Sequence, residues 1–167
     1  MPRGSLSDRY PQLLTAYVVQ AAANVYAETL IPLPVPRYGG SANRPYVFEI
    51  LKVFVTPEWT IQSAATGNID VQIATVSLGA IDFADPRVFI REAVLEAFTT
   101  SGATINHNSF MVDFTVGDRG LLIGTDNLYL GINTGVITGV ARAYVSFLYR
   151  LITVNASEYI GIVQSQQ

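Results

Sequence analysis

Alternation of apolar and polar residues with a period of two is the clearest pattern in the sequence, and its longest run extends from Val140 to Thr153. One face would hold Ala141, Ala143, Val145, Phe147, Tyr149 and Leu151, and the other Arg142, Tyr144, Ser146, Leu148 and Arg150. Successive side chains of a strand point to opposite faces, so this run predicts a long strand with one buried face.

A second segment, Tyr46 to Val55, alternates in the same way but is mostly apolar on both faces. One face would hold Tyr46, Phe48, Ile50, Lys52 and Phe54, and the other Val47, Glu49, Leu51, Val53 and Val55. We expect this strand to lie inside a sandwich or under a neighbouring segment. Thr56-Pro57 is expected to close it, because proline cannot donate to a strand ladder.

Shorter strands are predicted elsewhere, separated by turn residues. They are Ile69 to Ala74, Phe110 to Val116, Leu121 to Ile123 and Leu128 to Ile132, and Gly117 to Gly120 is a predicted tight turn. Thr15 to Ile31 is extended or helical on periodicity alone, but its β-branched residues and the prolines that follow favour a strand running into a polyproline-like exit. Seven or eight short strands at this spacing indicate an all-β sandwich or barrel. We expect one domain over residues 1–167.

One helix is predicted within this β pattern. Asp85-Pro86 has the composition of a helix start, and Gly102 is a plausible stop, which favours a helix from Pro86 to about Thr99. A strand is the alternative, because apolar residues in this segment also fit alternation. Asn155-Ala156-Ser157, a glycosylation sequon only if the protein is secreted, is expected to form a turn between strands.

Charge is the composition feature that changes the picture. Only 14% of the residues are charged, 10 basic and 13 acidic, with a formal net charge of −3, whereas an ordinary soluble domain carries about 25%. Lys52 is the only lysine, and the arginines that make up the remaining basic residues tolerate interfaces better. A surface this poor in charge predicts burial against other chains.

Few side chains offer catalytic or metal chemistry. The chain has no cysteine and one histidine, His107, which is predicted to lie in a polar loop before a strand, without a nucleophile motif to serve. Asp82, Asp85, Asp118 or Asp126 could contribute to a calcium site shared between subunits, but the signal is weak because no calcium-loop motif is present. We therefore expect no enzyme activity, metal or cofactor. No apolar run is long enough to cross a bilayer.

Two pairs of arginines are candidates for nucleic-acid contact. Arg142 and Arg150 share a strand face with Tyr144, a combination that can stack bases or clamp phosphates, although ion pairing across a subunit contact explains it equally well. Arg3 and Arg9 could touch nucleic acid near the N-terminus. Two charges neutralise few phosphates, so such binding would be weak and salt-sensitive.

Four stretches of the C-terminal third, residues 110 to 167, carry a resemblance to a known family. They are Phe114 to Leu122, Leu128 to Leu130, Ala143 to Leu151 and Ser157 to Gln166. Together they resemble capsid proteins of small environmental viruses with circular single-stranded DNA genomes. The resemblance implies a single jelly roll of eight antiparallel strands in two facing sheets. It also implies identical subunits that assemble into an icosahedral shell enclosing the genome in the virion.

The N-terminus departs from that family. Many of its members begin with an arm rich in arginine and lysine, whereas the short arm expected here, residues 1–11, holds only Arg3 and Arg9. Single-stranded DNA is therefore expected to contact the inner surface weakly at most.

Two other classes of protein also fit an all-β sequence. A carbohydrate-binding or host-attachment module would expose an aromatic platform, for which Trp59, Tyr38 and Tyr46 are the candidates. A small β-sandwich hydrolase would need two acidic side chains converging in a cleft.

Overall fold

Ten strands and one helix make up the computed structural model, which describes residues 10–34, 45–61, 66–97, 104–107, 109–135 and 139–166. The strands are β1 (Gln12–Val19), β2 (Ala27–Pro32), β3 (Tyr46–Ile61), β4 (Thr66–Ala74), β5 (Val88–Ala97), β6 (Thr104–His107), β7 (Phe110–Asp113), β8 (Leu121–Ile123), β9 (Asn127–Gly135) and β10 (Ala141–Thr153), and the helix is α1 (Ala156–Ser165).

The strands form two antiparallel sheets. In the first, the order is β1-β10-β3, and β6, β7 and β8 pair in succession with the other edge of β3. In the second, the order is β2-β9-β4-β5. With β6, β7 and β8 sharing one position, the eight strand positions follow the order of a jelly roll. The predicted fold class, an antiparallel jelly-roll sandwich, is confirmed by this order.

The core lies between the inner faces of the two sheets. β10 contributes the predicted apolar face, in which Ala141, Ala143, Val145 and Phe147 are at most 1% exposed. The second sheet contributes fully buried residues of β4 and β9, namely Ile69, Val71, Ile73, Leu128, Leu130 and Ile132. Phe48 and Tyr149 stack across β3 and β10, with ring centroids 4.3 Å apart. The faces of β10 were therefore predicted correctly.

The predicted faces of β3 are wrong beyond Ile50 because the strand contains a β-bulge. Leu148 pairs with Lys52 but Tyr149 pairs with Ile50, so Leu51 has no partner in β10. An extra residue reverses the phase of alternation. Phe48 and Ile50 face the core before the bulge, and Val53, Val55 and Trp59 are buried after it. This reversal explains why the sequence looks apolar on both faces.

β3 also continues past the predicted stop at Pro57. This proline pairs with Ala143 of β10 and lies between the stretches of β3 that pair with β6 and with β7. The ladder on the side of β3 that faces β6 and β7 is interrupted at Pro57, so the missing N–H of proline removes no hydrogen bond of a paired strand. β3 therefore extends to Ile61.

The helix predicted from Pro86 to Thr99 is wrong, and the alternative prediction of a strand is correct. β5 pairs with β4, and this pairing buries Val88, Ile90 and Val94. The carboxylate of Asp85 accepts hydrogen bonds from the backbone N–H and the guanidinium of Arg87. These bonds form a local turn. An aspartate that looks like a helix cap in the sequence can bind nearby backbone groups in this way instead of starting a helix.

The helix lies instead at the C-terminal end, where a turn between strands was expected. Asn155 is its N-cap, and the side-chain oxygen of Asn155 accepts a hydrogen bond from the backbone N–H of Glu158. The last turn is tied down by the Gln166 side chain, which accepts from the Gly124 N–H and donates to the Leu122 carbonyl. The prediction at Asn155 is therefore corrected to a helix start.

Two smaller predictions also change. The segment from Thr15 to Ile31 forms two strands, β1 and β2, in different sheets rather than one. His107 ends β6, in register with Glu58, rather than lying in a loop. Within the described ranges, no helix has the length and apolar character that a membrane crossing requires.

Candidate interaction surface

The side of the first sheet that faces away from the core, on strands β1, β10, β3 and β7, is here called the outer face. Strand register brings together apolar side chains from all four strands. The exposed ones are Leu13 at 63%, Tyr17 at 62%, Val19 at 44%, Phe54 at 42%, Met111 at 51% and Tyr144 at 40%. Monomeric proteins rarely leave a large contiguous apolar patch in water. The outer face therefore has the composition of an interaction surface.

Tyr17 and Tyr144 are neighbours on this face, Tyr17 on β1 and Tyr144 on β10. They are partners in the β1–β10 register, and their ring centroids lie 6.2 Å apart at an interplanar angle of 37°. In the next strand Thr56 shares a hydrogen bond with Ser109, at 2.9 Å between the hydroxyl oxygens. Tyrosines with an exposed apolar ring and a polar tip are frequent anchors in protein interfaces.

The basic side chains of these strands are paired with carboxylates of the same chain. Lys52 Nζ lies 2.9 Å from Asp113 Oδ2, and Arg142 Nε lies 3.8 Å from Glu58 Oε1. The third pair joins Arg150 to Glu49. Both arginines considered for ion pairing, Arg142 and Arg150, thus have carboxylate partners within the subunit. These paired charges sum to zero, which gives a phosphate backbone little to attract it.

The ion pair formed by Arg150 and Glu49 lies at one end of the outer face. Glu49 is completely buried, and its carboxylate accepts hydrogen bonds from the Arg150 guanidinium and, at 2.8 Å, from the Gly120 N–H. Arg150 also donates to the carbonyl of Asp118, and its pKa is raised, chiefly by the hydrogen bond to Glu49. The predicted turn from Gly117 to Gly120 is confirmed, and this buried pair holds it against the sheet.

Acidification is expected to weaken the fold partly through Asp113. Hydrogen bonds from the Thr115 hydroxyl and from Lys52 lower the pKa of Asp113 from 3.8 to about 2. A carboxyl whose folded pKa is depressed contributes stability above its ordinary pKa and loses it as the pH falls through the folded value. In urea unfolding measured between about pH 4 and pH 2, Asp113→Asn should therefore show a smaller loss of stability than the wild type. Equal losses in the two proteins would contradict this assignment.

The side of the second sheet that faces away from the core is covered by a loop. Residues 75–87 cross it, held by Gln72, whose side chain donates to the Ala80 carbonyl at 2.6 Å and accepts from the Asp82 N–H at 2.9 Å. Glu28 accepts from the hydroxyl of Ser77 at 2.5 Å and from that of Tyr26 at 2.7 Å. A polar network therefore joins this loop to the sheet, whereas the outer face of the first sheet has no such cover among the described residues.

The residues proposed for other chemistry are not assembled into a site. Among the described residues, no group of three or more histidine and acidic side chains could hold a metal ion. Arg3 and Arg9 lie outside the described residues, as does Tyr38. Trp59 is only 1% exposed and Tyr46 is half-buried, so the aromatic platform expected for carbohydrate binding is not formed by these two residues.

One polar cavity brings acidic residues together, as a hydrolase would require. It has a volume of about 260 Å³ and is lined by Glu49, Asp118, Glu158, Arg119 and Arg150, among others. Glu49 is engaged by Arg150 and by the Gly120 N–H, so its carboxylate is committed to holding the turn. A second cavity, of about 400 Å³ beside α1, has Asp126 as its one acidic lining residue among those described.

Sequence reasoning identified part of the outer face. It placed Arg142, Tyr144 and Arg150 together on one face of β10, and the structure confirms this. It missed the contributions of Tyr17 and Met111, which depend on strand register. The buried partner of Arg150 was also missed, although a single glutamate inside the apolar run of β3 was a signal for it.

Comparisons with known proteins give structural similarity only. Neither a model of a known protein family nor a curated protein sequence matches the chain. The VP1 pentamer of human polyomavirus 7 matches with a TM-score of 0.49 and 10% identity, over 89% of this chain and 97% of that one. The unassembled VP1 pentamer of KI polyomavirus matches with a TM-score of 0.43 and 8% identity, over 90% of this chain and 97% of that one.

A third similar structure is VP1 of trichodysplasia spinulosa-associated polyomavirus in complex with GM1 oligosaccharide. It matches with a TM-score of 0.40 and 10% identity, over 91% of this chain and 98% of that one. At these identities and TM-scores, the assignment of the fold rests on the strand order within the two sheets: the chain is a jelly-roll sandwich.

Proposed function

We propose that this chain is a viral capsid protein, a single jelly-roll domain over residues 1–167 that assembles with identical copies into a small icosahedral shell and has no enzyme activity. The observation that carries the proposal is the outer face, an exposed sheet surface rich in apolar side chains and with paired charges. The jelly-roll order supports it, because capsid subunits are among the proteins that use this fold. In this function the protein belongs to the virion.

The finer part of the proposal concerns the virus and its genome. The resemblance of residues 110–167 to capsid proteins of circular single-stranded DNA viruses supports that family. Genome contact, for which Arg3 and Arg9 are the candidates, would be weak and sparse, since two charges neutralise few phosphates and the basic side chains of the outer face are paired within the chain.

Assembly is tested by particle size. Purified wild-type protein should elute as megadalton particles in size-exclusion chromatography and appear as uniform spherical shells in negative-stain electron microscopy. A clean monomer or dimer across a range of salt and pH would rule the proposal out.

The role of the outer face is tested by one charge placed on it, beside Tyr144. Tyr17→Glu should prevent shell formation, because the carboxylate would have to be desolvated opposite an apolar partner surface. Leu30→Glu is the matched control: Leu30 is 49% exposed, on the second sheet. Both variants should keep the wild-type circular dichroism spectrum. If Tyr17→Glu assembles normally, or if both variants lose assembly equally, the outer face is not the principal contact.

A further inference from the structure

The exposed edge of the first sheet has an unusual composition. β1 forms this edge: among the described residues it pairs with β10 on one side and with no strand on the other. Its eight residues, Gln12 to Val19, include no charged residue, no proline and no glycine, and its register with β10 has no irregularity. Such an edge is a template for pairing with another strand, and soluble proteins usually protect it.

The other described sheet edges carry that protection. β2 is short, ends in Pro32 and includes Glu28. β5 includes Arg91 and Glu92, and its pairing with β4 is irregular next to Ala74. The far side of the first sheet is divided among β6, β7 and β8, of four, four and three residues. Short strands, charges, prolines and bulges all discourage pairing with another chain. β1 lacks these features.

The direction of the backbone groups of β1 follows from its pairing. The Gln20 N–H donates to the Ala141 carbonyl at 3.0 Å, and Val19 is the next residue in register, opposite Arg142. In an antiparallel ladder, hydrogen-bonded residues alternate with residues whose N–H and C=O point away from the partner. Leu13, Thr15, Tyr17 and Val19 therefore direct these groups outward, and the side chains of all four are exposed.

We propose that β1 pairs with β1 of a second copy of this chain, antiparallel across a twofold axis, so that the two first sheets become one continuous sheet. The register that uses all four outward residues places Leu13 opposite the partner subunit's Val19 and Thr15 opposite the partner subunit's Tyr17. The proposal rests on the proposed self-assembly and identifies one of the interfaces between subunits.

A second copy suits this edge for two reasons. Because β1 has no charge, pairing it with itself places no like charges opposite each other, and the pair of Thr15 with the partner subunit's Tyr17 joins a β-branched and an aromatic side chain, which are favourable across strands. A twofold axis also makes the contact self-complementary, so that one strand sequence supplies both sides. The apolar outer face would then run without a break from one subunit to the next.

The pairing can be tested by disulfide cross-linking, because the chain has no cysteine of its own. Thr15→Cys and Tyr17→Cys subunits, carrying different tags, are co-expressed, oxidised with copper–phenanthroline and separated on a non-reducing gel. Directly paired residues have Cα atoms about 5.5 Å apart, within disulfide reach, whereas residues 15 and 15 or 17 and 17 are diagonal, about 7–8 Å apart. The mixed pair should give several-fold more disulfide-linked dimer than either variant alone or than Leu30→Cys.

Thr15→Pro provides a second measurement. It removes one outward N–H and leaves the hydrogen bonds to β10 in place, so the contact should be lost while the circular dichroism spectrum is kept. Shells without enrichment of the mixed disulfide would overturn the edge pairing and leave the proposed function standing. The mixed disulfide in a protein that stops at the dimer would support the edge pairing and contradict the shell. A stronger disulfide in either single variant, or to another protein, would overturn the edge pairing.

Discussion

Glu49→Gln is expected to destabilise the folded chain by about 2–3 kcal/mol, measured as the free energy of unfolding in guanidinium chloride. Removing one partner of a buried ion pair leaves the other charge without compensation, which costs about 3–5 kcal/mol when both groups are fully buried. Here the side chain of Glu49 is 1% exposed and that of Arg150 is 29% exposed, so water screens part of the remaining charge. Glutamine has nearly the same shape, so the loss would report the charge.

A neighbouring ion pair gives the matched control. Lys52 and Asp113 also pair across strands of the first sheet, but their side chains are 34% and 38% exposed. Lys52→Gln should therefore cost less than about 1 kcal/mol. Replacing Glu49 and Arg150 together by methionine should cost less than the sum of the two single replacements, because neither charge is then left alone. Equal effects of Glu49→Gln and Lys52→Gln would contradict the buried pair.

Local pattern was sufficient to predict β10 and insufficient for β3. In β10 one face is buried along most of its length, so a period of two identifies the core residues. In β3 the bulge at Leu51 exchanges the faces after the first five residues, and no residue type in the sequence marks it. The Leu51 carbonyl, displaced from the β10 ladder, accepts a hydrogen bond from the Phe114 N–H at 2.9 Å. The position of the bulge thus depends on a segment just after β7, which lies far away in sequence.

The two errors about helices have one physical cause. Asp85-Pro86 and Asn155-Ala156 both have the composition of a helix start, and tertiary contacts decide between them. After Pro86 the chain can pair with β4 and bury Ile90 and Val94, so it becomes a strand. After Asn155 the chain has left β10, and its next residues form α1.

The candidate surface shows the same limit. Tyr144 and Arg142 were placed on one face from their spacing alone. Tyr17 and Tyr144 are far apart in the chain, and the β1–β10 register makes them neighbours. Glu49 and Arg150 are 101 residues apart and meet through the β3–β10 register. Spacing along one strand predicts a face, whereas a surface requires the order of strands, which the jelly roll supplies.

Gly120→Ala should have the larger effect of the two substitutions argued here, about 3 kcal/mol or more, or a failure to fold. A Cβ at Gly120 would lie 2.1 Å from the backbone oxygen and 2.9 Å from the backbone carbon of Ile50. Backbone in a central strand cannot move aside cheaply, and displacing the turn would also remove the Gly120 N–H from Glu49.

Gly161→Ala is the control for this glycine. Gly161 lies in α1 with nothing within 4 Å of the added Cβ, so alanine should stabilise the helix by about 0.5–1 kcal/mol. Soluble yield and the midpoint of thermal unfolding would separate the two variants. If Gly120→Ala yields folded protein whose midpoint of thermal unfolding matches that of the wild type, the turn does not approach β3 as closely as described. The Gly120 N–H would then not be held against the Glu49 carboxylate. If the two variants differ as expected, the result confirms that the turn at Gly120 lies directly against the backbone of β3.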